Sequence, residues 1–243
     1  MKKRAVISAV AGIALAGVMC VSFAACGGGG ADAKSVKGEE VTKEVWDAAF
    51  DYTKFEETYA NFKLEESVES VVDAMGIYKV TSTGDTTYTF ADKLTYVKGK
   101  AKTKISGDVP SEVKKLLGDG TVEYEYYADK DGKFIEKKDG EWKEVNTSSS
   151  LELEYSYTTA TDKLMSMVYR LPSMDFEDYE FSAENKGYVA KEADEGEFYV
   201  LKFVDNKLAA VYVEITFEGM TGKTELTYNY VMTYGGQSVT LPA

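Results

Sequence analysis

The chain has 243 residues, with 28 basic and 41 acidic side chains, no histidine and a net charge of −13. This acidic balance repels the phosphates of nucleic acids and of anionic lipid head groups, so neither is expected as a direct partner. The absence of histidine excludes the catalytic triads and zinc sites that depend on an imidazole.

The N-terminus has the pattern of a secretory signal peptide. The basic residues of MKKR precede an uncharged, apolar stretch that ends in Ala24 and Ala25, directly before Cys26. This stretch is close to the ~20 residues that span a bilayer, so an uncleaved membrane anchor is the alternative interpretation. Its high content of alanine and glycine favours a signal peptide over residues 1–25.

The residues FAAC at positions 23–26 resemble the lipobox of bacterial lipoproteins, in which the cysteine is acylated and becomes the mature N-terminus. The resemblance implies a lipid on Cys26, and two acyl chains on one residue are enough for stable membrane attachment. The expected location is therefore the extracytoplasmic face of the cell membrane. Without residues 1–25 the chain keeps 25 basic and 41 acidic residues, a net charge of −16.

Residues 26–40 are rich in glycine and polar side chains and are predicted to be a flexible tether. A coil of this composition has a root-mean-square reach of about 20 Å. Residues 41–243 contain no second linker and are predicted to form a single domain.

Helical spacing of apolar residues occurs at three places in this domain. TKEVWDAAFDYTKFEETYANF has Val45, Trp46, Ala49 and Phe50 at helical spacing behind Thr42 as a possible cap. In PSEVKKLLGDG the helix signal begins at Pro110 or Ser111 and ends at Gly118, and in TDKLMSMVYRLP it ends at Pro172.

Most of the domain has the period-two alternation of antiparallel strands. The clearest stretches are TTYTFADKLTYV, LELEYSYT, AAVYVEITF and TELTYNYVMTY. Turn dipeptides separate the strands, namely Asp131-Gly132, Asp139-Gly140, Asp205-Asn206 and Gly235-Gly236. The predicted fold class is therefore α+β, mainly β, with a curved antiparallel half-barrel meander packed on a few helices.

The apolar face of these strands is unusually aromatic, since the chain contains 18 tyrosines and 11 phenylalanines. A buried tyrosine requires a partner for its hydroxyl group, and a cavity with a ligand would supply one. The residues predicted to line such a cavity are Tyr88, Phe90, Tyr96, Tyr155, Tyr157, Phe217, Tyr228 and Tyr230. The alternative is that these aromatic residues are simply good strand formers that pair across the sheet.

Two further stretches extend the resemblance to the LolA, LolB and LppX/LprG-like half-barrel lipoproteins. DGKFIEKKDGEWKEV is similar to a hairpin of that group, and FEDYEFSAENKGYVA through VTLPA is similar to its closing run of strands, with a last short strand ending at Leu241-Pro242. The resemblance implies a curved sheet around helices and a cavity that carries acyl chains, and it implies no particular ligand residues.

No catalytic motif is recognised. Carboxylate pairs could support glycoside hydrolysis, but nothing distinguishes one pair among 41 acidic residues. DKDGKFIE has its glycine too early for a calcium loop and is better explained as a hairpin turn. We therefore expect a non-enzymatic protein without metal or cofactor that binds a lipid-like ligand at the concave aromatic face. The alternative is a protein-interaction or envelope-sensing lipoprotein with a filled core, whose acidic outer face meets a partner.

Overall fold

The computed structural model describes residues 31–242, except 92, 112–113, 116–117, 119, 130–132, 146–159 and 221. The predicted signal peptide, the lipid site at Cys26, the strand at 151–158 and the turn at 131–132 lie outside the described residues. The strands are β1 (Phe62–Ala74), β2 (Tyr78–Ala91), β3 (Leu94–Gly107), β4 (Gly120–Asp129), β5 (Phe134–Lys138), β6 (Glu141–Val145), β7 (Tyr179–Ser182), β8 (Gly187–Ala190), β9 (Glu197–Val204), β10 (Lys207–Gly219) and β11 (Gly222–Tyr234). The helices are α1 (Lys43–Ala49), α2 (Phe55–Thr58) and α3 (Ala160–Val168), with 3₁₀ turns at Tyr52–Lys54 and Phe176–Asp178.

The eleven strands form one open antiparallel sheet in the order β6-β5-β4-β3-β2-β1-β11-β10-β9-β8-β7. The chain enters at the centre, passes by successive hairpins to the β6 edge, and crosses to the β7 edge through the segment that carries α3. It then returns by hairpins to the centre, where β11 pairs with β1 over twelve residue pairs, from Phe62 opposite Tyr234 to Asp73 opposite Lys223. The predicted mainly β, antiparallel meander is confirmed.

One face of this sheet, here called the core face, carries the main hydrophobic core. Period-two alternation places every second side chain of β1 on it, beginning with Phe62 and Leu64. Trp46 of α1 is fully buried against this face, and its ring lies 4.9–5.6 Å from five aromatic rings. Its indole nitrogen donates to the Met174 carbonyl at 2.7 Å, so the largest core side chain is also hydrogen-bonded.

The opposite face, here called the outer face, is covered in part by the N-terminal segment. Residues 31–40 are predicted to belong to the tether, but they lie along β9 and β10. Ala33 is fully buried against Val200, Ala210 and Tyr212. The buried Lys202 ammonium donates to two backbone carbonyls of this segment, each at 2.8 Å, and so holds it on the sheet. Burial of Ala33 and the hydrogen bonds from Lys202 therefore make residues 31–40 part of the folded domain, although they are predicted to be part of a flexible tether.

Two other local predictions differ from the structure. TTYTFADKLTYV is not one strand: β2 ends at Ala91 and β3 begins at Leu94, with Lys93 in the left-handed conformation at a φ of 64°. Residues 235–242, expected to form a last short strand, are not a strand. Instead Asn61 and Gln237 exchange two hydrogen bonds, which fix the end of the chain beside β1.

The predicted helices after Thr42 and before Pro172 are present as α1 and α3. Around 110–118 the structure describes two helical hydrogen bonds, from the Lys114 amide to the Pro110 carbonyl and from the Gly118 amide to the Lys114 carbonyl. The turns at Asp139-Gly140 and Asp205-Asn206 are confirmed, and all four residues have positive φ. Among the described helices, none is long and apolar enough to cross a membrane.

We predict that Gly222→Ala destabilises the fold by about 2 kcal/mol or more. Gly222 has a φ of +130°, and a Cβ atom there would lie 1.9 Å from the backbone oxygen of Asp73. Gly219→Ala is the matched control, because its added Cβ would meet no atom within 4 Å. Urea unfolding should show a lower midpoint for the first variant, and equal losses in both variants would contradict the prediction.

Candidate functional site

Four of the residues predicted to line a ligand cavity share the core face. Tyr88 and Phe90 on β2 and Tyr228 and Tyr230 on β11 are each at most 4% exposed. A side chain that lines a ligand-sized cavity presents surface to that cavity, and these four present almost none. They are packed among the other buried side chains of the main hydrophobic core.

The other predicted lining residues are not in this group. Tyr96 lies on the outer face, where its ring is 4.7 Å from Tyr127 and its hydroxyl group donates to Glu125 at 2.7 Å. Phe217 is 47% exposed near the end of β10. Tyr155 and Tyr157 lie outside the described residues, so the structure brings together four of the eight.

A buried ion pair lies among the packed tyrosines. Glu66 on β1 and Lys163 on α3 approach to 2.7 Å between Oε2 and Nζ, and their side chains are only 2% and 9% exposed. The Lys163 ammonium also lies 4.4 Å from the centre of the Tyr88 ring. Burying two charges costs several kcal/mol per ion before the attraction between them is counted, so this pair is not explained by hydrophobic packing alone.

A second cation adjoins the pair. The Arg170 guanidinium lies 4.7 Å from the centre of the Tyr228 ring, and its Nη1 donates to the Ser166 carbonyl at 2.6 Å. Together with the ion pair, Arg170 gives this buried cluster two cations and one carboxylate. Burial, and then the charge of Glu66, raise the pKa of Tyr88 and of Tyr230 well above the usual value, so both tyrosines stay neutral.

The sequence contains a signal for this cluster that is not a catalytic motif. Glu66 is two residues from Leu64 and two from Val68, so its side chain lies on the same side of β1 as the apolar residues Phe62, Leu64 and Val68. A charged residue therefore occupies a position where the alternation predicts an apolar one. Lys163 adjoins Leu164 on the buried side of α3 in the same way. A charge in the apolar phase of an amphipathic element is a marker of a buried polar site.

An open groove of about 570 Å³ lies on the outer face. Its floor crosses four neighbouring strands, because Glu69 of β1 is opposite Thr227 of β11, which is opposite Glu214 of β10, which is opposite Phe198 of β9. The next row contains Glu225. This volume is within the ~300–1,000 Å³ that is typical of ligand sites.

Four glutamates line the groove. Glu69, Glu214 and Glu225 lie on the outer face, and Glu197 at the start of β9 accepts a hydrogen bond from the Tyr199 hydroxyl at 2.8 Å. Lys34 of the N-terminal segment lies 3.4 Å from Glu214, and Lys223 is paired with Glu225. These two lysine side chains are 61% and 45% exposed, and exposed ion pairs contribute at most about 1 kcal/mol each. An incoming cation could therefore replace either lysine at small cost.

The described residues contain no group of three or more acidic or cysteine side chains arranged to hold a metal ion. Neither a family model nor a curated protein matches this chain. The evidence for function therefore comes from the two faces of the sheet.

We predict that Lys163→Met destabilises the protein by about 3–5 kcal/mol, because it leaves the Glu66 carboxylate buried and unpaired. The double variant Glu66→Gln/Lys163→Met should recover most of this loss, since it buries no charge. Lys143→Met is the control, because its partner Glu141 is exposed and an exposed pair is worth about 0–1 kcal/mol. Urea unfolding measures all three, and a double variant as unstable as Lys163→Met would contradict the interpretation.

Proposed function

We propose that this chain is a membrane-anchored, extracytoplasmic lipoprotein without enzymatic activity that binds a protein partner through the groove of its outer face. The observation that carries the proposal is the contrast between the two faces. The tyrosines of the core face are packed by the protein's own side chains, whereas the outer face presents an open groove. The lipobox-like FAAC supports the membrane anchor.

The chemistry of the groove selects a cationic partner. Four carboxylates on a chain of strong negative charge give the groove a potential that attracts lysine or arginine side chains. Val71 and Phe198 add apolar surface beside these carboxylates. The groove therefore suits a partner segment with one or two basic side chains next to an apolar one.

We predict that Glu69→Lys/Glu214→Lys lowers partner recovery at least about tenfold, since reversing charge in a complementary interface costs several kcal/mol. The full chain with an affinity tag is cross-linked in its host membrane, and the captured proteins are quantified. Glu123→Lys is the matched control, because Glu123 is 71% exposed on β4, outside the groove. A partner recovered equally by the groove variant and by the control would refute binding through this groove.

A second function, binding of a lipid-like amphipathic ligand at the aromatic core face, is favoured by Arg170. Among the described residues this cluster contains two cations, one of them the partly buried Arg170, and one carboxylate, and an acidic head group would balance the second cation. Because the neighbouring tyrosines are buried, they would have to separate from the side chains packed on them to contact the apolar part of such a ligand.

We predict for this second function that the purified full chain retains an anionic lipid in addition to its covalent anchor. Arg170→Gln should reduce the retained lipid at least about fivefold, since a charge-assisted contact contributes roughly 1.5–3 kcal/mol. Lys138→Gln on the exposed end of β5 is the control. Native mass spectrometry and analysis of solvent-extracted lipid measure the retained ligand, and a wild-type chain without retained lipid would exclude this function.

A further inference from the structure

Two hairpin ends lie side by side at one end of the sheet. β1 pairs with β11 as far as Asp73 opposite Lys223, so the β1–β2 connection and the β10–β11 connection are neighbours. Gly222 lets the two backbones touch at this point, because any side chain there would collide with the Asp73 carbonyl. The two connections are thus fixed relative to each other.

These neighbouring ends expose large apolar side chains. Met75 and Ile77 in the β1–β2 connection are 48% and 50% exposed, Phe217 is 47% exposed, and Met220 is 97% exposed. We call these four residues the apolar tip. At the other end of the same strands, the β9–β10 turn is the polar pair Asp205-Asn206. Among the described residues eight large apolar side chains are exposed, and these four lie together at one end of the sheet. Clustered apolar exposure of this kind indicates an interaction site.

We infer that the apolar tip contacts the lipid bilayer that holds the anchor, an inference that rests on the proposed acylation of Cys26. The N-terminal segment sets the distance. Lys34 is docked at Glu214, and Cys26 precedes residue 31 by five residues, which span at most about 18 Å when extended. Along β10, Met220 lies six residues beyond Glu214, a separation of roughly 20 Å. The anchor and the tip can therefore reach the same bilayer surface together.

The charges beside the tip are compatible with this contact. Lys79 and Lys104 are exposed on the outer face of β2 and β3, and Lys223 lies on β11. These lysines partly offset the nearby carboxylates of Asp73, Asp108 and Glu218, and Asp108 adjoins the tip because its amide donates to the Ile77 carbonyl at 3.0 Å. The apolar side chains of the tip can then enter the head-group region while these charged groups remain at its boundary.

The test places a fluorescent label at either end of β10. The full chain is produced in a lipoprotein-exporting host as Met220→Cys or as the control Lys207→Cys, labelled with an environment-sensitive dye, and reconstituted into vesicles of phosphatidylcholine with a minor share of phosphatidylglycerol. Both positions are exposed, so both variants should fold. Brominated lipids should quench the label at position 220 about threefold more than the label at 207, because the thirteen-residue strand separates the two by about 40 Å.

The outcomes separate the two inferences. Membrane-bound protein with preferential quenching at position 220 supports the contact of the tip with the bilayer. Membrane-bound protein with equal quenching at both positions overturns that contact and leaves the anchor in place. A chain that does not fractionate with membranes overturns the anchor, and the inferred orientation is then overturned with it.

Discussion

The pairing of β1 with β11 is the constraint on which the rest of the described structure depends. All the other described strand pairs join neighbours along the chain, whereas this one joins segments about 160 residues apart over twelve residue pairs. Without it the chain would form two separate meanders, each with an unprotected edge strand that could pair with other chains. Closing a loop of this length costs conformational entropy that local hairpins do not pay, so we expect this pairing to form late in folding.

The pairing of β1 with β11 also positions the residues of each candidate site. It places Glu66 opposite Tyr230 in the buried cluster, Glu69 opposite Thr227 in the groove, and Asp73 opposite Lys223 beside the apolar tip. The close approach of the Gly222 backbone to the Asp73 carbonyl marks the end of the β1–β11 pairing. It thereby fixes the position of the apolar tip. A shift of one residue in this register would exchange the faces, moving Glu66 to solvent and Glu69 into the core, so all three sites depend on one register.

Local patterning explains what the sequence predicts well. Alternation identifies β10 and β11, and the dipeptide Asp205-Asn206 identifies the turn that opens β10, because these features depend on neighbouring residues. Alternation places Tyr96 on the wrong face because the turn at Lys93 reverses the alternation within an apparently continuous strand. The groove could not be predicted, since its carboxylates come from β1, β9, β10 and β11, and no local pattern encodes the register between strands so distant in sequence. Glu66 could have been recognised, because its charge interrupts the apolar phase of a single strand.

In the proposed lipoprotein, the docked N-terminal segment would link the lipid anchor to these sites. A fully flexible tether would let the domain rotate freely above the bilayer, and no surface would then be favoured for contact with lipid. Because Ala33 is buried and Lys202 holds the backbone of the segment, only four residues, 27–30, separate Cys26 from residue 31. Lys34, in the same segment, neutralises one carboxylate of the groove. If Cys26 is acylated as proposed, a partner that displaces Lys34 from Glu214 would act on the segment that sets the distance between the domain and the membrane, so partner binding and membrane orientation would be coupled.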